Sequence, residues 1–436
     1  MKASGRFFFL WMTLLISMST LNPQAIGEPA TSDPGSGRPA HDWPQFRGPD
    51  RSGISEEVGL RRSWPEGGPP VLWRRPLGEG FSGIVVSGDY LYTLYAVGDD
   101  EFAGCFRVTD GSEVWRYRIG DTFLDEWGNG PRSTPTIDGH IVYILSPRGM
   151  LFAMDDKLGE VIWHVDITAR YGRGTPLFDM KNFLPPEEGV GTGEFGHSSS
   201  PLIDGDLLIV YTGAGDGKSL VALDKHTGET RWTALNNETS HSSPIGVSIA
   251  GQRQIIMLLP GEIIAMQPSG QVLWRHPWAR AVLSQPVFVP PDKIFSSTIY
   301  DVGTLLLQVR TTRNNTGVEI LWQNRLMRNC WSSSVLYEGH LFGFDNATLR
   351  CLSLKTGELR WAKRGLGRGS VVIIDGLLIL LGDHGILTLA EASSESYRET
   401  GRIKLFAGPS WTAPTPVQGK LFLRNQEEMI CLNLRD

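Results

Sequence analysis

Seven tryptophans recur along this chain, each closing a unit that opens on small residues and runs through glycine-rich turns. They are Trp73, Trp115, Trp163, Trp232, Trp274, Trp322 and Trp361. From Trp73 to Trp115 is 42 residues, as from Trp232 to Trp274, and about 42 residues is the length of a four-stranded propeller blade. Such a unit cannot bury its faces alone and folds only by stacking on copies of itself. An eighth unit ends in the tryptophan-free stretch from Tyr397 to Phe406. The repeat overrides the two or three domains that 436 residues would otherwise imply, because a propeller closes as one domain whatever its length.

One unit, residues 133 to 167, shows the grammar. Ser133 to Asp138 is a short first strand, and Gly139 turns into the apolar run His140 to Leu145. Arg148-Gly149 turns again into Met150 to Asp155, and Leu158-Gly159-Glu160 leads to a fourth strand around Trp163. Alternating, β-branched runs separated by glycine-centred turns predict strands and hairpins. The pattern returns at Ser199-Ser-Pro201, Ser242-Ser-Pro244, Ser284-Gln-Pro286, Ser332-Ser-Ser334, Gly369-Ser370 and Thr412-Ala-Pro414.

The last unit stops after its third strand, at Leu432-Asn-Leu434, while Pro70 to Arg75 is a fourth strand with no first three before it. The two ends therefore complement each other in one blade, which pairs both open edges. The expectation is an all-β, eight-bladed propeller closed by its N-terminal strand. Seven blades would result if the degenerate unit after Trp361 failed to form. The tryptophans read as packing anchors between blades.

Two stretches break the rhythm. Residues 171–196 are rich in Gly and Pro, carry Glu187 and Glu188, and read as a long surface loop. Asp42 to Trp64 carries Trp43, Phe46 and Trp64, so it is expected to pack on the ring. Ahead of it, Lys2 and Arg6 precede the mostly apolar run Phe7–Ser19, with Ala25 and Gly27 as small residues before Glu28. That is the form of a secretory signal, and the run is too short to span a bilayer. The expected division is a signal peptide over 1–27, a linker packing on the ring over 28–69, and one propeller domain over 70–436. The mature chain is then periplasmic or secreted, without a transmembrane segment, and monomeric. With no cysteine near the cleavage site, a lipid anchor is not expected.

Export makes the four cysteines worth testing as disulfides. Cys105, Cys351 and Cys431 occupy one slot in three separate units, filled elsewhere by Ala153, Ala222 and Ala265. Equivalent slots in separated blades stand too far apart to bridge, and Cys330 stands in another slot. All four are expected free. A net charge of −6 gives no basic footprint for nucleic acid.

The units resemble PQQ-type repeats, in which a strand of the form Leu-x-Ala-Leu-Asp precedes Thr-Gly-Glu and a Trp. Val221-Ala-Leu-Asp224 with Thr227-Gly-Glu229 and Trp232 has that form, and so does Thr356-Gly-Glu358 with Trp361. The stretch Trp43-Pro-Gln-Phe-Arg-Gly-Pro49 resembles the start of exported PQQ-like propeller proteins. The resemblance covers nearly the whole mature chain and implies one of two functions. One is that of a non-catalytic propeller binding other exported or envelope proteins, as in the scaffold lipoprotein of the outer-membrane β-barrel assembly machine. The other is that of a quinoprotein dehydrogenase holding pyrroloquinoline quinone (PQQ) with Ca²⁺ at the ring centre. Such enzymes resemble this chain less. They tend to carry a disulfide between adjacent cysteines over the cofactor, and no Cys-Cys pair occurs here.

Candidate site residues lie just before the first strands, which converge on the axis. Small residues there are a packing requirement. Arg132, His197, His241, Trp331, Arg368 and Trp411 go beyond it and would give a cationic, aromatic-walled mouth for an anionic or planar ligand. Asp125 and Glu126 would partly neutralise it, and Trp331 and Trp411 would alternatively plug the channel. No catalytic constellation is visible. His197 and His241 lie out of register with each other, and no spacing of metal ligands supports them. The expected function is a non-catalytic binding or scaffolding module without metal or cofactor; the alternative is a PQQ-dependent oxidoreductase or an anion binder.

Overall fold

The computed structural model describes residues 42–172, 195–238, 240–280, 283–299, 302–312 and 316–436. The expected signal peptide and nearly all of the 171–196 insertion lie outside the described residues. Within them, eight sheets follow one another along the chain, seven of four antiparallel strands and one that adds a fifth, parallel strand. Blades I to VIII are identified here by the first strand of each repeat: Val85–Ser87, Thr136–Asp138, Leu202–Asp204, Ile245–Ile249, Val287–Val289, Val335–Tyr337, Gly369–Ile374 and Thr415–Val417. This is the eight-bladed propeller that the repeat predicts. The core lies between neighbouring blades: Tyr92 and Leu94 of blade I, for example, pack on Val142 and Ile144 of blade II.

Ring closure follows the expected complementation. Val71–Pro76 is the outer strand of blade VIII, antiparallel to Glu428–Asn433, with Val71 opposite Leu432 and Trp73 opposite Cys431. All four cysteines are buried and free, and burial pushes each thiol up to about 12.

The tryptophans join each blade to the next. The indole N–H of Trp73 donates to Val108 O of blade I at 3.0 Å, and Trp115 to Asp156 O of blade II at 2.8 Å. Trp163, Trp232, Trp322 and Trp361 do the same to Lys225, Pro268, Leu354 and Ser393. Beneath most of these rings sits a turn glycine of the neighbouring blade. A Cβ on Gly228 would stand 2.7 Å from the Trp163 ring. Trp274 departs from the rule and donates instead to Gln254 within its own blade.

Blade VII is complete despite its missing tryptophan. Gly401 takes the register position of the indole, opposite Leu389 and beside a bulge, and Trp64 from the N-terminal segment packs over it. The fifth strand of this sheet is Ile54–Ser55, parallel to Gly369–Ile374.

The N-terminal segment reaches every blade. Trp43 pairs with Val86 of blade I, and Pro44 O accepts from Ile137 N of blade II. Arg51 donates to Ser200 O and Pro201 O of blade III and to Pro244 O of blade IV. Gln285 of blade V donates to Arg51 O, and Arg47 donates to Ser333 O and Ser334 O of blade VI. Gly53 O accepts from Ile373 N of blade VII, and the Glu57 carboxylate accepts from Gln418 N and Gly419 N of blade VIII. Left-handed backbone at Arg47, Gly48, Arg51 and Gly53 coils the segment tightly enough to do this.

Candidate functional site

Each first strand runs down the axis, so the residues that precede it share one rim. The hub of residues 43–57 meets the first strands further along, at Val86, Ile137 and Ile373, and so closes the opposite end. Between rim and hub lies a cavity of 700 Å³. Trp43, Phe46 and Arg47 line its floor side, while Arg132, His241, Trp331, Arg368 and Trp411 line its mouth.

Half of the rim is a continuous stack. Trp331 and Trp411 lie face to face with centroids 4.8 Å apart, and Phe81 stacks on Trp411 at 4.9 Å. Each end is capped by a guanidinium: Arg368 sits 5.2 Å from the Trp331 ring, and Arg132 5.2 Å from the Phe81 ring. Cation–π contacts of this kind contribute about 0.5–2 kcal/mol each. Asp125 holds Arg132 at 3.1 Å, the neutralisation expected of it. Arg132 also donates to Gly130 O and Gly128 O, which fixes the loop that carries Trp127. Behind this loop Glu101 is fully buried and accepts from Phe123 N; burial raises its carboxyl to about 7 against the pull of Phe123 N, Arg148 and Arg132.

The other half of the rim is neutral. His241 Nδ1 is hydrogen-bonded to Ser198 Oγ, and Phe195 meets the imidazole edge-on at 5.0 Å. Burial, and to a smaller degree Arg132, lower His241 to about 4, so it is uncharged at neutral pH. Among the described residues its Nε2 has no hydrogen-bond partner, nor does Oε1 of Gln285, a residue only 3% exposed. Both residues line the cavity. Unpaired buried polar atoms are uncommon, and each calls for a reason.

The floor adds positive charge. Arg47 and Arg51 are buried and bonded to backbone carbonyls and the Gln45 side chain. Neither meets a carboxylate among the described residues. Burial lowers them to about 10 and about 9, so both stay charged at neutral pH. No Asp or Glu among the described residues lines the cavity.

Five of the six residues expected at the mouth therefore come together. His197 does not. Its backbone N donates to Pro147 O, and its ring lies against Gly149 beneath blade II, where burial lowers it to about 4. The channel is closed by the N-terminal hub, and Trp331 and Trp411 form a wall of the cavity rather than its plug. Phe81 and Trp127 also line it. Phe81 precedes the first strand of blade I but carries no signal beyond that position, and Trp127 belongs to a loop outside the repeat.

The profile of the family described as outer membrane protein assembly factor BamB, built on PQQ-type repeats, matches residues 65–189 and 99–363. The chain belongs to this family. It is 29% identical over 199 residues to the BamB of Burkholderia pseudomallei strain K96243, over 43% of this chain and 48% of that protein. It is 22% identical over 287 residues to the BamB of Yersinia pestis, over 62% and 65%. The match thus spans about half of the first relative and just under two thirds of the second. Among solved structures, BamB from Moraxella catarrhalis superposes with a TM-score of 0.58 at 14% identity, covering 83% of this chain and 97% of that one. A quinohemoprotein alcohol dehydrogenase from Pseudomonas putida HK5 gives 0.59 at 10% identity, covering 91% and 80%. At these identities the likeness is one of fold alone. Among the described residues, no helix is long and apolar enough to cross a membrane.

The dehydrogenase likeness makes a quinone cofactor worth testing against the lining. Arginines and stacked rings suit the carboxylates and plane of PQQ. Calcium, however, takes six to eight oxygen ligands, with carboxylates prominent among them. No group of three or more His, Cys, Asp or Glu among the described residues can hold a metal ion. The described lining also supplies no acidic base, so it does not fit the calcium–quinone pair.

Proposed function

We propose that this chain is a scaffold of the bacterial envelope that binds other exported proteins through the rim of its ring. The observation that carries the reading is the rim itself. Arg368, Trp331, Trp411, Phe81 and Arg132 form one stack, beside Trp127 and Leu124, which are 39% and 72% exposed. Arginine and aromatic residues dominate the energetics of protein interfaces. Membership of a family named for an outer-membrane assembly factor supports envelope partners.

Export would deliver the chain to that compartment with Glu28 as its first residue, which N-terminal sequencing of the mature protein reads directly. A photocrosslinking residue at Trp127, in cells expressing the exported chain, should join it to envelope proteins. The same probe at Leu72, exposed on the outer strand of blade VIII, serves as the comparison. Absence of protein adducts from both positions would defeat the reading. So would stoichiometric uptake of PQQ with Ca²⁺ by the purified protein together with dye-linked alcohol oxidation.

A further inference from the structure

The geometry points to a blind pocket that receives the tip of an acidic, aromatic-bearing loop from a partner protein. This rests on the scaffold reading above and specifies what the partner presents.

The charge of the cavity selects an acidic guest. Four arginines line it, Arg47, Arg132, Arg328 and Arg368, and no carboxylate among the described residues does. Two of them are already matched, Arg132 by Asp125 and Arg328 by Asp345. Arg368 is exposed, rests on Trp331, and has no ion pair among the described residues. Arg47 and, behind it, Arg51 add two charges solvated by neutral oxygens. In a concavity with low-dielectric walls such charges reinforce one another and favour an anion.

Shape excludes a threaded chain and favours a tip. The hub closes the far end of the ring, and a volume of 700 Å³ falls within the roughly 300–1,000 Å³ typical of enclosed ligand sites. An aromatic side chain of the guest finds apolar walls in Phe46, Phe195 and Leu283. Outside the mouth, Leu124 and Trp127 extend the apolar surface onto the rim. A small molecule held inside would leave them unused; a folded partner carrying the loop would cover them.

The test uses the whole mature protein and a disulfide-closed hairpin peptide with Asp-Phe-Asp at its tip. Controls carry Lys-Phe-Lys or Asp-Ser-Asp, and phenylacetate stands for a small aromatic carboxylate. Fluorescence anisotropy should show binding of the first peptide, at least about tenfold tighter than either control. Arg368→Gln, at an exposed site that leaves the fold intact, should weaken it about tenfold, and Arg368→Glu should shift preference toward the lysine peptide. Equal binding of the lysine peptide, full competition by phenylacetate at equal concentration, or indifference to both Arg368 variants would overturn the proposal. Crosslinks from Trp127 to envelope proteins without peptide binding would end this inference and leave the scaffold reading standing. Peptide binding without any crosslinked protein would defeat the scaffold reading, and with it the partner loop, while leaving a pocket that selects an acidic, aromatic tip.

Discussion

Trp64 lies over Gly401, so blade VII takes its indole from a segment that precedes the whole ring. A Cβ on Gly401 would meet Trp64 Cβ at 2.8 Å and its ring at 2.9 Å, and Trp64 N donates to Thr400 O at 3.1 Å. The register explains the match. Gly401 opposes Leu389 just before a bulge, as Trp232 opposes Ala222. The indole fills a core shared by blades VII and VIII, among Leu387, Leu389, Leu421 and Leu432.

Truncating this side chain should cost what a core tryptophan costs. Trp64 is 8% exposed, and Trp64→Ala is expected to destabilise the protein by about 3–5 kcal/mol in chemical denaturation. Gly401→Trp alone should also destabilise, since two indoles would compete for one space. Combined as Trp64→Gly with Gly401→Trp, the indole returns to its strand and most of the stability should come back. A double variant no better than Trp64→Ala would show that the two positions are not equivalent.

The hub arginines make a second prediction. Arg51→Met keeps the volume but leaves the carbonyls of Ser200 and Pro244 without their donor, while Pro201 O keeps the Thr136 hydroxyl. Each buried group left unpaired costs about 1–3 kcal/mol, so a loss of roughly 3–5 kcal/mol is expected. Arg51→Lys should rescue little, because a single ammonium cannot reproduce the planar fork that serves two blades. Thermal unfolding of the two variants decides the point; a lysine variant as stable as the parent would contradict it.

Opposing pH dependences are built into the walls of the ring. His197 and His241 have folded values near 4, below the ordinary 6.5. The unfolded chain therefore binds more protons between pH 6.5 and 4, and stability falls as pH drops through that window. Glu101 has the reverse sign. Its folded value of about 7 exceeds the ordinary 4.5, so the folded state takes up the proton first and gains stability as pH falls from 7 to 4.5. His241→Gln should flatten the acid loss, and Glu101→Gln should remove the gain and steepen the net fall. Denaturation midpoints measured from pH 7.5 to 4 separate the two; unchanged profiles would mean that neither group is buried as described.

The repeat was legible because its physics is periodic. Fourth-strand tryptophans return in seven of the eight blades, and the unmatched strands at Val71–Pro76 and Glu428–Asn433 announce their own pairing. What escaped is aperiodic. Arg47 and Arg51 look like surface residues in a polar, glycine-rich stretch, and only the tertiary fold turns them inward onto carbonyls of distant blades. Trp64 stood out as an aromatic, yet nothing local paired it with Gly401. His197 and His241 both precede first strands in adjacent units, but a one-residue difference in register turns His197 toward Gly149 and away from the mouth. Arg132, Trp331, Arg368 and Trp411 were found because they exceed what packing around an axis requires.

The turn glycines separate two costs that are usually confounded. Gly228 and Gly205 both have left-handed backbone, with φ of 71° and 60°. A Cβ on Gly205 would meet none of the described residues within 4 Å, whereas on Gly228 it would stand 2.7 Å from the Trp163 ring. Gly205→Ala should therefore show the backbone cost alone, about 1–2 kcal/mol. Gly228→Ala should add the displacement of an indole that also holds Lys225 O at 3.1 Å, for about 3 kcal/mol or more in total. Trp163→Phe removes that hydrogen bond and shrinks the ring, so in its background the excess cost of Gly228→Ala should shrink toward that of Gly205→Ala. If the two glycine variants cost the same in the parent protein, the indole–glycine contact is not what couples one blade to the next.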